Sequence, residues 1–145
     1  MNFATSSSAK WRVVVGSLGL AFAACVWADN IADSNELLCY GWSAARCDTE
    51  AECEVTAPWR LNMPDFLKID LDDQLVTTTG GEVEQRETPI ATVVRENGLL
   101  IMQGQQEGRV YSWIITETTG EGTLTIGTPG EGIMVFTVCA DMANL

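Results

Sequence analysis

The stretch LLIMQGQQEGRVYSWIITE, at residues 99–117, decides the fold of this chain. Two apolar runs, at 99–102 and 110–115, flank a polar link that contains Gly104 and Gly108. Each run is short for a helix and is rich in the β-branched and aromatic residues that suit a pleated sheet. Because glycine allows the chain to reverse, the stretch predicts a long central β-hairpin.

The second run of this hairpin has two distinct faces, because side chains alternate along a strand. Tyr111, Trp113 and Ile115 share one face, whereas Val110 and Ile114 lie on the other. Apolar side chains on both faces predict a strand in the interior of a sheet that is covered or closed. Trp113 is expected in the core, because large aromatic side chains dominate core burial.

Further strands are indicated on both sides of the hairpin by short apolar or alternating runs. The clearest is 66–71, in which Leu67, Ile69 and Leu71 alternate with polar residues. The others lie at residues 37–47, 53–56, 75–79, 90–95, 124–126 and 133–139.

Short segments rich in turn residues join these strands. Asn97-Gly98 is the strongest short hairpin signal and leads into residue 99. Residues 57–64 carry two prolines and predict a crossing loop, and residues 29–36 form a polar, loose lead-in. For 43–46 a short helix is an alternative to a strand, because of the alanine pair. About eight strands predict an all-β antiparallel meander, closed or nearly closed into a small barrel, with a two-sheet sandwich as the alternative.

The N-terminus has the parts of a secretory signal. Lys10 and Arg12 precede an uncharged apolar run at 13–26, and Ala28 supplies a small residue for cleavage. The apolar run is short for a membrane span, which needs about 20 residues. The run therefore predicts export, with an uncleaved anchor as the alternative.

We expect a signal peptide over residues 1–28 and a single disulfide-stapled β domain over 29–145, periplasmic or extracellular. Lipidation of Cys25 is a further alternative, since small residues precede it. Loss of residues 1–28 leaves 20 acidic residues against six basic ones, a net charge of −14. Such a surface repels nucleic acid and anionic lipid and favours solubility or basic partners.

The domain keeps an even number of cysteines, which is typical of an oxidising compartment. Cys47 and Cys53 flank a short polar turn, where opposite residues of paired strands lie within disulfide reach. Cys39 and Cys139 then remain, and their bond ties the first strand to the last. A zinc site is not expected, because the spacing contains no CxxC and the chain has no histidine.

Several short motifs follow one another over nearly all of residues 29–145. They are Cys39, Cys47 and Cys53; Pro64-Asp65-Phe66 with Asp70; Arg86-Glu87-Thr88-Pro89-Ile90; Gln103-Gly104; Arg109; Trp113; Thr119-Gly120; and Cys139. In this order the chain resembles a family of small exported bacterial β-rich proteins without an assigned activity. The resemblance implies the compartment and the fold, and it implies no chemistry.

Residue types suited to catalysis or metal binding are few. Without histidine the usual general base is absent, and carboxylate pairs of the glycosidase kind remain. Asp65, Asp70, Asp72 and Asp73 carry oxygens suited to Ca²⁺, yet they lack the order of a calcium loop, and Asp in a turn usually caps its own backbone. We expect no catalytic residue, no metal site and no cofactor.

Aromatic side chains are the remaining candidates for a ligand site. Trp113 is a candidate floor for a barrel cavity, and candidates to line a sugar or lipid site are Tyr40, Trp42, Trp59 and Tyr111. In the alternative interpretation Trp113 packs the core and Trp59 plugs one end of the barrel under Pro58. Arg109 is expected either to form an ion pair with a neighbouring acidic residue or to bind a ligand.

The sequence therefore predicts an exported, acidic, non-enzymatic β-barrel that binds an unidentified ligand through one barrel mouth or its acidic face. One alternative is a periplasmic inhibitor of a basic enzyme such as lysozyme, and another is a carboxylate-dependent hydrolase. A basic protein or a small ligand is the expected partner, and neither nucleic acid nor a stable membrane span is expected.

Overall fold

A computed structural model of the protein describes residues 30–50, 52–79 and 85–145. The predicted signal peptide and Cys25 lie outside the described residues, as do residues 80–84. The strands are β1 (Glu36–Asp48), β2 (Cys53–Thr56), β3 (Phe66–Asp70), β4 (Leu75–Thr79), β5 (Glu87–Pro89), β6 (Thr92–Glu96), β7 (Leu99–Gln106), β8 (Arg109–Thr116), β9 (Glu121–Thr128) and β10 (Glu131–Asp141). Two short 3-10 helices, Pro58–Leu61 and Met142–Asn144, are the only helices in these ranges.

All the strands pair antiparallel in one sheet, in the order β5-β4-β3-β1-β10-β9-β8-β7-β6, and β2 pairs with the second half of β1. The sheet is open but strongly curled, close to the predicted nearly closed barrel. Its two edge strands, β5 and β6, are consecutive in the chain. Between them, the Ile90 N–H donates to the Gln74 carbonyl and the Ala91 N–H to the Gln103 carbonyl, each at 2.8 Å. This short junction therefore spans the distance between the two edge strands. Because all the strands belong to one curled sheet, the alternative of a two-sheet sandwich is wrong.

The predicted central hairpin is confirmed and is longer than its apolar runs. Strands β7 and β8 pair from Leu99–Thr116 to Gln106–Arg109, and only Glu107 and Gly108 form the turn. Both turn residues have positive φ, 50° and 78°, which matches the right-handed twist of the strands. The polar residues after residue 102 belong to β7, because pairing with β8 overrides their weak strand propensity.

The inner face of the sheet carries the core. Trp113 is 1% exposed, as predicted, and its indole N–H donates to Thr137 Oγ1 at 3.0 Å. Leu100, Met102 and Ile115 are also fully enclosed. Val110 and Ile114, on the outer face of β8, are 58% and 45% exposed, so β8 is interior in the sheet while its outer face is uncovered.

The chain before β1 closes one end of the barrel, so the prediction of a loose lead-in is wrong. Ile31 is fully buried, and its N–H donates to the Glu117 carbonyl at 2.8 Å. The Arg95 guanidinium donates to the carbonyls of Ile31, Ala32 and Ser34 and forms an ion pair with Glu117. Ile31 is a single large apolar residue in a polar segment, so the segment has no periodic apolar pattern. Its side chain nevertheless fills the barrel end.

The two disulfides join the pairs of cysteines that the sequence predicts. Cys39–Cys139, with S–S 2.08 Å, connects β1 and β10 inside the barrel. Cys47–Cys53, with S–S 2.04 Å, connects β1 and β2 next to their turn. Residues 43–46 lie in β1, so the helix alternative is wrong.

The crossing loop after β2 is confirmed, but the predicted role of Trp59 is wrong. Pro58 is buried, whereas Trp59 is 63% exposed and the Arg60 guanidinium lies 5.2 Å from its ring centroid. The predicted strand at 90–95 is also wrong in its start, because Pro89 pairs within β5 and β6 begins at Thr92.

Candidate ligand-binding cavity

The barrel end opposite the Ile31 plug opens into a cavity of about 730 Å³. This volume falls within the roughly 300–1,000 Å³ range of small-molecule sites. Inner-face residues of β3, β4, β8, β9 and β10 line it, together with the loop at 61–64. The lining residues are Leu61, Asn62, Met63, Pro64, Leu67, Val76, Thr78, Arg86, Glu87, Thr88, Gln106, Glu107, Arg109, Tyr111, Trp113, Leu124, Ile126, Thr128, Pro129, Gly130, Glu131 and Ile133.

The floor and the lower wall of the cavity are apolar. Trp113, Leu67 and Leu124 belong both to the core and to the lining, so the cavity ends on packed side chains. Ile126 and Ile133 are paired across β9 and β10 and continue the apolar wall toward the mouth. Side chains of alternate strand positions all enter the barrel, which is why these residues share one surface.

Tyr111 closes the wall where the junction of β5 and β6 passes β7. Its hydroxyl donates to the Pro89 carbonyl at 2.8 Å. Gly104 makes this approach feasible, because a Cβ there would lie 2.5 Å from the Pro89 carbonyl oxygen and 2.6 Å from the Tyr111 ring. Burial raises the pKa of Tyr111 to about 12, so its phenol stays protonated at neutral pH.

Polar side chains hold the mouth together. Thr88 Oγ1 donates to Gln106 Oε1 at 2.6 Å, and Gln106 Nε2 donates to the Glu87 carbonyl at 2.7 Å. These bonds tie β5 to the end of β7. Arg46 and Glu131, at the ends of β1 and β10, form an ion pair on the rim.

Two further arginines line the mouth. Arg86 Nη2 donates to the Asn62 carbonyl at 3.0 Å, and the Arg86 backbone N–H donates to Thr78 Oγ1 at 2.8 Å. Arg109 begins β8, opposite Gln106. Within the described ranges, no carboxylate lies within 4.0 Å of either guanidinium, so neither arginine forms the ion pair that the sequence left open for Arg109.

Of the predicted ligand residues, the structure brings Trp113, Tyr111 and Arg109 together in the cavity. Tyr40 and Trp42 lie elsewhere, on the outer face. The Tyr40 ring centroid is 5.5 Å from that of Phe66, and the Trp42 centroid is 5.6 Å from that of Phe136. Trp42 lies on the same face as Tyr40, and it is the extra residue where the register of β1 shifts between Gly41 and Ser43.

The acidic candidates for Ca²⁺ lie before, at the end of and after β3, and three of them form hydrogen bonds within the protein. Asp65 precedes this strand and Asp70 ends it. Asp70 Oδ1 accepts the Asp73 N–H at 3.0 Å, and Asp72 Oδ1 accepts from Asn35 Nδ2 at 3.1 Å. In the described part of the chain, no group of three or more acidic or cysteine side chains is arranged to hold a metal ion.

Sequence reasoning missed Arg86, Met63 and the isoleucines at 126 and 133 as cavity residues. The alternation of LTIGT in β9 was a usable signal for Ile126, because it places this side chain on the face of Leu124. Met63 offered none, since its position depends on how the loop after β2 crosses the mouth.

No family model matches the chain, and no curated protein is similar to it at a significant level. The resemblance to small exported bacterial proteins therefore stays a prediction.

Proposed function

We propose that this protein is a non-enzymatic binding module that holds a small, largely apolar molecule inside the open end of its barrel. The observation that carries the proposal is the pre-formed cavity of about 730 Å³ with an apolar floor. An apolar molecule that leaves water for this space gains roughly 25 cal/mol per Å² of buried apolar surface. A cavity that exists before binding spares the cost of ordering its walls.

The arrangement of carboxylates at the mouth supports binding rather than catalysis. Glu131 is engaged by Arg46, and Glu87 and Glu107 are exposed to solvent. None of these groups lies on the apolar floor beside Trp113, where a buried carboxyl of raised pKa would serve as a general acid. The carboxylate-dependent hydrolase is therefore not our proposal.

We also propose that the protein is exported. The sequence supports this with its charged and apolar N-terminal segments, and the structure supports it with two disulfides, which persist in oxidising compartments. Among the described residues, no helix is long and apolar enough to cross a membrane.

A titration with Nile red, a neutral dye that fluoresces in apolar surroundings, tests the cavity. Ile126→Trp adds a large side chain to the cavity wall, and Thr125→Trp adds the same side chain to the outer face of the same strand. We expect the first variant to lose dye binding at least tenfold and the second to bind like the parent. Thermal unfolding of both variants shows that each is folded.

Equal loss in both variants, or binding that persists in Ile126→Trp but disappears in Trp42→Ser, would place the dye on the outer face and contradict the proposal.

The excess of acidic residues favours one second candidate, the inhibitor of a basic enzyme. An inhibitor acting through the outer acidic surface would keep its activity in Ile126→Trp, so this variant separates the two functions.

A further inference from the structure

The proposed cavity function leaves open which chemical class of molecule enters. The described part of the chain has six basic residues, and four of them have an ionic or aromatic partner among the described residues. Arg46, Lys68 and Arg95 form ion pairs, and Arg60 lies over the Trp59 ring. The two basic residues without an ionic or aromatic partner among the described residues are Arg86 and Arg109, and both line the cavity mouth.

The chain has 20 acidic and eight basic residues, so each arginine has many carboxylates available. Three of the six described basic residues form ion pairs. The carboxylates at the mouth do not supply it, because Glu131 pairs with Arg46 and none lies within ion-pair distance of Arg86 or Arg109 in the described ranges.

Among the described residues, the guanidinium donors at the mouth therefore have few partners. Arg86 uses one nitrogen to bind the Asn62 carbonyl, at 3.0 Å. Arg109 has no side-chain hydrogen bond to any described residue, although a guanidinium has five N–H donors in a planar fork that fits a carboxylate. Charged donors at the mouth and an apolar floor at Trp113 together match an elongated molecule with one anionic end.

On the basis of the proposed cavity function, we propose that the ligand is an amphiphile with an apolar body and a carboxylate, of the fatty-acid class. The apolar part lies between Ile126, Ile133 and the floor, and the carboxylate lies at the mouth within reach of Arg109 and Arg86. The walls at the mouth also offer Thr88 and Gln106, whose side chains already bond to each other and are held in place.

Calorimetric titration with decanoate and with decanol tests this inference, because the two probes share an apolar chain and differ in charge. We expect decanoate to bind the parent protein about tenfold more tightly than decanol, the low end of what a charge-assisted hydrogen bond supplies. Arg109→Gln should reduce this difference, because it weakens decanoate binding more than decanol binding. Higher ionic strength should weaken decanoate binding alone.

Arg60→Gln is the matched control, because it removes the same charge outside the cavity lining. Arg109→Lys restores the charge without the fork and should recover only part of the difference. If decanoate and decanol bind equally, or if Arg60→Gln weakens decanoate as much as Arg109→Gln does, the anionic ligand is wrong while the cavity function stands. If neither probe binds, both proposals are overturned.

Discussion

Tyr111 is the residue that connects the cavity wall to the junction between the edge strands, through its hydrogen bond to the Pro89 carbonyl. Tyr111→Phe removes this bond, and we expect it to lower the free energy of unfolding at pH 7 by about 1 kcal/mol. Denaturant unfolding measures the difference.

The same residue should make stability depend on alkaline pH. The phenol of Tyr111 ionises at about 12 in the folded protein because it is buried, and near 10 in the unfolded chain. Between these values the unfolded state has lost the proton that the folded state keeps, so stability falls as pH rises. Tyr111→Phe should lack this part of the decline. The difference in the free energy of unfolding between the parent and Tyr111→Phe should therefore become smaller above pH 10.

Tyr40→Phe is the control for this measurement, since Tyr40 is the other tyrosine of the chain and lies on the outer face. The hydrogen bond to Glu36 also raises the pKa of Lys68. Its effect on stability at alkaline pH is the same in the parent and in both variants, because all three proteins keep Lys68. An equal alkaline decline in Tyr111→Phe and in the parent would contradict the role assigned to Tyr111.

At the scale of single residues, the sequence could predict which face a side chain takes and could not predict its partner. The aromatic character of Trp113 predicts its place in the core, and alternation along β8 puts it on the face of Tyr111 and Ile115. Its partner Thr137 lies on β10, two strands away, and becomes a neighbour only because β9 pairs with both strands. Likewise, nothing local shows that Gly104 accommodates Pro89.

At the scale of elements, β1 is the strand on which the others depend, because it pairs with β2, β3 and β10. Replacing both Cys39 and Cys139 by Ala opens a loop with a sequence separation of 100 residues, against 6 for Cys47 and Cys53. Chain entropy predicts losses of about 4–5 and about 2 kcal/mol respectively. Urea unfolding of the two double variants measures both. Equal losses, or the larger loss in the variant without Cys47 and Cys53, would show that the seam between β1 and β10 does not depend on its disulfide.

Element boundaries were predicted best where turn chemistry is strong and least well where tertiary contacts decide. Asn97-Gly98 correctly separates β6 from β7. In contrast, the strand predicted at 90–95 begins only at Thr92. The two residues before it form the junction between β5, which pairs with β4, and β6, which pairs with β7. This junction depends on the curling of the sheet, which brings its two edges together and which no local pattern records.

At the scale of the whole molecule, the all-β class, the curled antiparallel sheet and the pairs of cysteines followed from the sequence. The cavity did not, because it depends on an asymmetry between the two barrel ends. Ile31 fills one end, whereas the loop at 61–64 only borders the other. The segment at 30–36 and the loop at 61–64 thus determine which barrel end is open.

The molecule also has a second apolar surface, on the outside of the sheet, which includes Trp42, Phe136 and Val138. Binding to this outer surface must be distinguished from binding in the cavity, since both surfaces are apolar. Inner and outer residues alternate along the same strands, and each residue has its own backbone amide resonance. The amides of the two faces can therefore be observed separately.

Chemical-shift mapping by nuclear magnetic resonance, with decanol added to the isotope-labelled protein, makes this distinction most directly. The account predicts large shifts for the indole N–H of Trp113 and for the inner residues Tyr111 and Ile126, with Trp42 and Phe136 unchanged. Shifts confined to Trp42, Phe136 and their outer neighbours, with the Trp113 indole unchanged, would contradict the claim that the barrel binds its ligand inside.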